Sequence, residues 1–272
     1  MDIAYTVLGL VVGLLVGMTG VGGGSLLTPA LTLFGINPAV AVGTDLAFAA
    51  ITKGAGTLVH RAQSSVDWRI VGLLAAGSCP AAAITVGVLA ATGLHAKSGV
   101  ISVALAAALI LTAVVLLADR ARIVAIADRY EAGIAGRRTA LTVSSGALLG
   151  VLVTVSSIGA GALGAAFLVA LYPRLAATRI AGTDIAHAVP LTVVAGLGHL
   201  WLGNVNGALL ASLLVGSVPG IVLGSLASGR LPDNAVRRLL ALAWISTEGN
   251  SPKDFLHRGA NRSGTSVEHS KG

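Results

Sequence analysis

The chain has 272 residues, 55% of them hydrophobic and 11% charged, with a formal net charge of +7. Soluble globular chains carry about 25% charged residues, so this one lacks the polar surface to face water, and its long unbroken apolar runs exclude the alternating strands of a membrane β-barrel. The basic residues fall in short connections between those runs, as in cytoplasmic loops against anionic headgroups, so the surplus charge points to a lipid bilayer and not to nucleic acid.

The expected class is all-α, a polytopic helical membrane protein. The N-terminus opens Met1-Asp2 with no basic residue before the apolar stretch, unlike a secretory signal, so the first segment is expected to be a retained helix. A spanning helix needs about 20 apolar residues. Ile3 to Met18 is the first candidate, and it runs into Gly20-Val21-Gly22-Gly23-Gly24-Ser25. Leu26 to Phe34 is too short to cross and stops at the turn signal Gly35-Ile36-Asn37-Pro38, as a half-helix or re-entrant piece would. Ala39 to Val59, Ile70 to Leu89 and Ser98 to Ala118 complete a first membrane repeat, 1–118. The polar, arginine-rich segment 119–138 is the expected linker to a second repeat, 139–245. That repeat holds Thr139 to Ser156, a second glycine run from Gly159 to Gly164, a short apolar piece to Leu171, and spans at Ala176 to Trp201 and Val205 to Leu226. Apolar sequence then ends at Ile245, which leaves the last helix shortened, and 246–272 is expected to be a disordered polar tail.

The evidence for two homologous halves is a self-match at an offset of 139 residues. Gly20, Gly22, Gly43, Thr44, Asp45, Ala47, Ala49, Leu58, His60, Val66, Leu74, Gly77, Ser78 and Pro80 fall on the same residue types at Gly159, Gly161, Gly182, Thr183, Asp184, Ala186, Ala188, Leu197, His199, Val205, Leu213, Gly216, Ser217 and Pro219. Composition alone gives roughly six such matches over this stretch. The informative ones are Gly-Thr-Asp and Gly-Ser-x-Pro, which recur in register although Thr, Asp and Pro are not the common residues.

Each half thus carries a glycine-rich broken or re-entrant helix within apolar sequence. Freed backbone at membrane depth is tolerated where it is buried in protein or lines a cavity, and broken helices in transporters aim their unpaired N–H groups at the solute. Gly22, Gly23, Gly24 and Ser25, with Gly159 and Gly161, are therefore the candidate solute-lining backbone. The first run lacks the lysine and spacing of a P-loop, so nucleotide binding is unsupported.

An ionisable side chain inside a membrane span is a functional candidate by default. Asp45 and Asp184 are the sharpest pair, assigned to proton coupling or to holding the cavity, with helix capping as the plainer alternative. Lys53 lies eight residues after Asp45, on broadly the same side of one helix, and is assigned to anion attraction; its repeat partner is Thr192. His60 and His199 match across the repeat and are candidates for proton transfer or for interfacial hydrogen bonding. His187 pairs with Phe48 and carries less weight. These residues are spaced too widely for a local metal motif, and neither metal nor cofactor is expected. Cys79, the single cysteine, rules out an intramolecular disulfide and is expected to be a packing residue. Ser144, Ser145, Ser156 and Ser157 lack the acid and histidine pattern of a nucleophilic triad, so catalysis has no support.

Two halves, each with a glycine break, a Gly-Thr-Asp and a Gly-Ser-x-Pro, resemble the TauE/SafE family of membrane permeases, the sulfite exporter family. The residues that carry the resemblance are Gly20 to Leu31 and Ala41-Val42-Gly43-Thr44-Asp45-Leu46, with thinner counterparts in the second half. The resemblance covers Ile3 to about Ile245, and the shortened last span departs from it. It implies a secondary transporter of the bacterial inner membrane that exports a small anion such as sulfite, an organosulfonate or a related organic anion. A non-transporting scaffold that keeps the fold, or an anion channel, is the alternative, and a homo-oligomer is compatible with either. By the positive-inside rule the linker is expected in the cytoplasm, and four spans per half would put the N-terminus there too; if the half-helices add a crossing, the repeats become inverted.

Overall fold

The computed structural model describes residues 3–19, 24–62, 65–93, 98–117, 123–124, 129, 133 and 136–228. They form α1 (Ile3–Thr19), α2 (Gly24–Leu33), α3 (Pro38–Ala62), α4 (Trp68–Thr92), α5 (Ser98–Leu117), α6 (Arg138–Ser156), α7 (Ala162–Leu171), α8 (Ala177–Trp201) and α9 (Gly207–Ser228), with no strand among the described residues. These helices belong to a unit spanning Met1–Leu226; of the second unit, Ala227–Gly272, only the last two residues of α9 are described. The expected shortened last helix and polar tail lie outside the described residues, as do Gly22 and Gly23.

Local chemistry explains the helix ends. Pro38 opens α3, where a missing N–H costs nothing, and the Asn37 side chain accepts the Ala39 N–H at 2.9 Å. Asp67 caps α4 by accepting from the Ile70 N–H at 3.3 Å, and Asn206 accepts the Leu209 N–H of α9 at 3.0 Å. Gly93 ends α4 in the left-handed region at φ 63°, which only glycine enters without strain. Among the described residues three helices, α4, α6 and α8, are long and apolar enough to cross a membrane by length and composition alone. Ile84, Val103, Ile110 and Trp201 stand exposed on the outer surface, as lipid-facing side chains do.

Two features set the topology. First, α1–α2 and α6–α7 are hairpins: the Tyr5 and Phe34 rings meet edge to face at 6.3 Å, and the Thr142 and Tyr172 hydroxyls are 2.9 Å apart. Each short helix therefore returns the chain to the end where the preceding helix began. Second, α3 and α8 run antiparallel along their length. The start of α3, at Gly43, packs on the Asn204 backbone just beyond α8, and Gly182, near the start of α8, packs on Ser65 just beyond α3. α3, α4 and α5 then follow the first hairpin, each reversing the direction of the one before. The beginning of α1 and the end of α5 lie at opposite ends of the bundle, not on one side as an even count of spans would place them.

Glycines allow the remaining helices to touch backbone to backbone. On α4 and α6, Gly77 faces the Val143 carbonyl, Gly146 faces Leu74 and Gly150 faces Ser78; on α1 and α9, Gly216 faces the Thr6 carbonyl, Gly9 faces Leu213 and Gly13 faces Ser217. Such close crossings suit a bilayer, where helix association depends on packing because lipid is as apolar as leucine. A β-carbon at Gly77 would collide with the Val143 carbonyl, a backbone atom that cannot move aside alone. Gly77→Val is expected to destabilise the fold by about 1–3 kcal/mol. Gly72→Ala, on the same helix with open space around it, should leave stability unchanged or slightly raised. Thermal unfolding of the detergent-solubilised protein distinguishes the two.

Candidate functional site

The Gly-Thr-Asp triplets sit where α3 and α8 pass each other, and each residue has a separate task. Gly43 and Gly182 leave room for the backbone of the opposite helix's exit loop. Thr44 accepts the Asn206 N–H at 3.1 Å, and Thr183 accepts the Asp67 N–H at 2.9 Å. In each case the hydroxyl holds the residue that caps the next helix. The aspartate then points inward: Asp45 is 0% exposed and Asp184 4%.

Both carboxylates meet a short helix of a hairpin. Asp45 takes the hydroxyl of Thr28, in α2, and the Thr28 backbone N–H also points toward it. The Ser157 hydroxyl, from the second break, lies beside the same carboxylate. Asp45 Oδ1 and Ser157 Oγ nonetheless have no hydrogen-bond partner among the described residues. Asp184 lies against the first turn of α7: a β-carbon at Gly164 would land on its Oδ1, another buried atom with no hydrogen-bond partner there.

The backbone between α6 and α7 is broken as the glycine run predicts. Ser157 is left-handed at φ 58°, and Gly159 and Gly161 take φ values of 114° and 147°. Gly161 caps α7 without a side-chain hydrogen bond, while the Gly164 and Ala165 N–H groups donate to the Gly159 and Gly161 carbonyls. Lys53, 7% exposed, crosses from α3 and donates to the Ala160 carbonyl within this break. Its ammonium is in electrostatic reach of both carboxylates, Asp184 the more strongly.

His187, on α8 one turn beyond Asp184, completes the cluster. It is 1% exposed, its Nε2 lies 2.9 Å from the Ser78 hydroxyl of α4, and its Nδ1 has no partner among the described residues. Sequence reasoning ranked it low because its repeat partner is phenylalanine. The signal available was its spacing of three residues from Asp184, which puts both on one helix face.

His199 makes its contacts elsewhere. His199 is fully buried, and its Nε2 lies 2.9 Å from the Thr154 carbonyl, which can only accept, so Nε2 carries the proton. The Asn204 amide approaches its Nδ1 at 3.4 Å, and the ring ties α8 to the end of α6. His60 lies in α3 with its side chain outside the described residues. Gly24 and Ser25 open α2. A cleft of about 690 Å³, lined by Ile3, Tyr5, Ile36, Asn206, Leu209 and Ser212, opens at the end of the bundle where α1 begins; Asp45, Lys53, Asp184 and His187 do not line it.

Comparison with known proteins places this arrangement. The family described as Sulfite exporter TauE/SafE matches residues 5–247. The chain belongs to the TauE/SafE family. It is also 38% identical over 221 residues to the "Probable membrane transporter protein YjnA" of Bacillus subtilis (strain 168), covering 79% of this chain and 85% of that protein. No solved structure matches the chain. As a member of the family it is a membrane transporter and not an enzyme.

Proposed function

We propose that this TauE/SafE transporter carries a small anion, a sulfur oxyanion or organosulfonate, out of a bacterial cell across the inner membrane, coupled to protons. The observation that carries this reading is the placement of Asp184: its buried Oδ1 packs against Gly164 in the first turn of α7 without a hydrogen-bond partner among the described residues, next to the helix end at which a solute anion would be held. Carboxylate and solute compete for one positive helix end and for the nearby Lys53 ammonium. Protonation of Asp184 removes its charge and yields the place to the solute, so proton and anion load together. A dianion accompanied by one proton leaves as a net negative charge. An inside-negative potential drives that charge outward at about 2.3 kcal/mol per 100 mV.

Asp45 is assigned to holding the cavity, since its Thr28 hydrogen bond ties α2 to α3. Gly159 and Gly161 shape the solute-facing backbone, and Gly22, Gly23, Gly24 and Ser25 are assigned the same role from their sequence. The antiparallel run of α3 and α8, two segments that match at an offset of 139 residues, supports inverted repeats, the arrangement in which a central site can be opened alternately to either side.

Counterflow of labelled sulfite and sulfoacetate in proteoliposomes tests the reading. Flux is expected to saturate and to follow an imposed pH gradient, the anion moving toward the alkaline side. Absence of flux with every candidate anion, in folded protein, would sink the proposal in favour of a scaffold, and non-saturating flux would indicate a channel.

A further inference from the structure

The two ends of the α3–α8 pair are held by matched latches that differ by one charge pair. At the end where α4 and α8 begin, Thr183 accepts the Asp67 N–H at 2.9 Å, and the Asp67 side chain caps α4 through the Ile70 N–H at 3.3 Å. At the end where α3 and α9 begin, Thr44 accepts the Asn206 N–H at 3.1 Å, and Asn206 caps α9 through the Leu209 N–H at 3.0 Å. Each residue of one set stands 139 positions from its counterpart in the other, and Gly182 on Ser65 matches Gly43 on Asn204 in the same way. The repeat therefore puts Asn206 where the first half has Asp67, and Val40 where the second half has Arg179. Arg179, in the first turn of α8, pairs with Asp67 at 3.7 Å. An asparagine and a valine cannot form such a pair.

The neutral latch also stands beside open space. Asn206 lines the cleft of about 690 Å³, and Thr44, which holds it, is followed by the buried Asp45. We propose that the two latches are the gates of the transporter, and that the Asp67–Arg179 ion pair keeps its end shut while the Thr44–Asn206 end opens toward the cleft. Alternating access through inverted repeats requires the two ends to part in turn. Each triplet couples gate to site, because its glycine and threonine hold the connection and its next residue is the inward carboxylate. Parting Thr44 from Asn206 breaks a hydrogen bond; parting the other end breaks a hydrogen bond and an ion pair. The unloaded protein thus rests open on the cleft side. With Arg179 47% and Asp67 27% exposed, the pair is a surface one, which biases the balance of states a few-fold and is screened by salt.

This bias presupposes alternating access, but its test needs no anion. In a Cys79→Ser background, Ser157→Cys places a thiol beside Asp45 at a position only 4% exposed, so a reagent reaches it when an end opens. Reaction with a membrane-impermeant methanethiosulfonate is timed in right-side-out and inside-out vesicles, and it should be faster from the cleft side. Arg179→Val and Asp67→Asn each install the residue of the other half, and asparagine keeps the cap on α4. Either change should speed reaction from the opposite side by about two- to fivefold, the worth of a surface ion pair. Molar KCl should do the same to the parent and nothing to Arg179→Val. Equal reaction from both sides, reaction from neither, or a rate that Arg179→Val and Asp67→Asn leave unchanged overturns the proposal. None of these results bears on whether an anion is carried, which counterflow measures separately.

Discussion

Asp184→Asn is expected to abolish the response of anion flux to a pH gradient while leaving gradient-free exchange in place. The asparagine keeps the volume of the side chain against Gly164 but can neither ionise nor release a proton. The first turn of α7 then has no competing anion at any pH, so counterflow should become flat between pH 5 and 8, and the stimulation by an acid-to-alkaline gradient should fall at least tenfold. Flux in proteoliposomes, with the internal and external pH set independently, measures both quantities. A gradient response equal to that of the wild type would move the coupling site away from Asp184. Asp45→Asn is a useful contrast: its neighbour Thr28 can still hydrogen-bond an amide oxygen, so the gradient response should survive.

The same geometry shows how much of the site could be read from residues alone. Asp45, Asp184 and Lys53 stood out because charge inside apolar sequence is conspicuous, and the matching triplets identified two of them as a pair. The tasks of Gly43 and Thr44 were hidden, because their partners, Asn204 and Asn206, lie about 160 residues away in the chain. His187 was hidden for a related reason. Its significance lies in meeting Ser78 of another helix, and nothing in the pattern along α8 announces that contact. Lys53 lies eight residues after Asp45 in the same helix, but its attachment to the opposite hairpin at Ala160 is again a long-range fact.

Helix positions were legible to within two or three residues, because charge-free length and turn residues bound them from both sides. The count of crossings was not. Ten residues of helix span about 15 Å, half a bilayer, and nothing in Gly24–Leu33 or Ala162–Leu171 states whether such a piece goes on or turns back. The ring contact between Tyr5 and Phe34 and the hydroxyl pair of Thr142 and Tyr172 decide it.

That decision changes the side on which the arginines fall. With both hairpins returning, Arg69 at the start of α4, Arg137 and Arg138 at the start of α6, Arg174 after α7 and Arg179 in the first turn of α8 share one end of the bundle, where Arg179 pairs with Asp67 at 3.7 Å. The connections at the other end, between α2 and α3, α4 and α5, and α8 and α9, contain only Lys97 among lysines and arginines. Under an even count of spans Arg174 and Arg179 opposed the linker; here they join it. Charge segregation this complete favours one orientation by the positive-inside rule: the arginine-rich end in the cytoplasm, and the beginning of α1 with the α8–α9 connection outside. Because Cys79 is the only cysteine, Cys79→Ser gives a background in which single new cysteines report their side. A membrane-impermeant thiol reagent added to intact cells is expected to label Leu202→Cys and to leave Arg174→Cys untouched, with the pattern reversed in inside-out vesicles. Labelling of both positions from the same side would contradict the returning hairpins. Labelling of Arg174→Cys alone from outside would keep the fold and invert its orientation, against the charge argument.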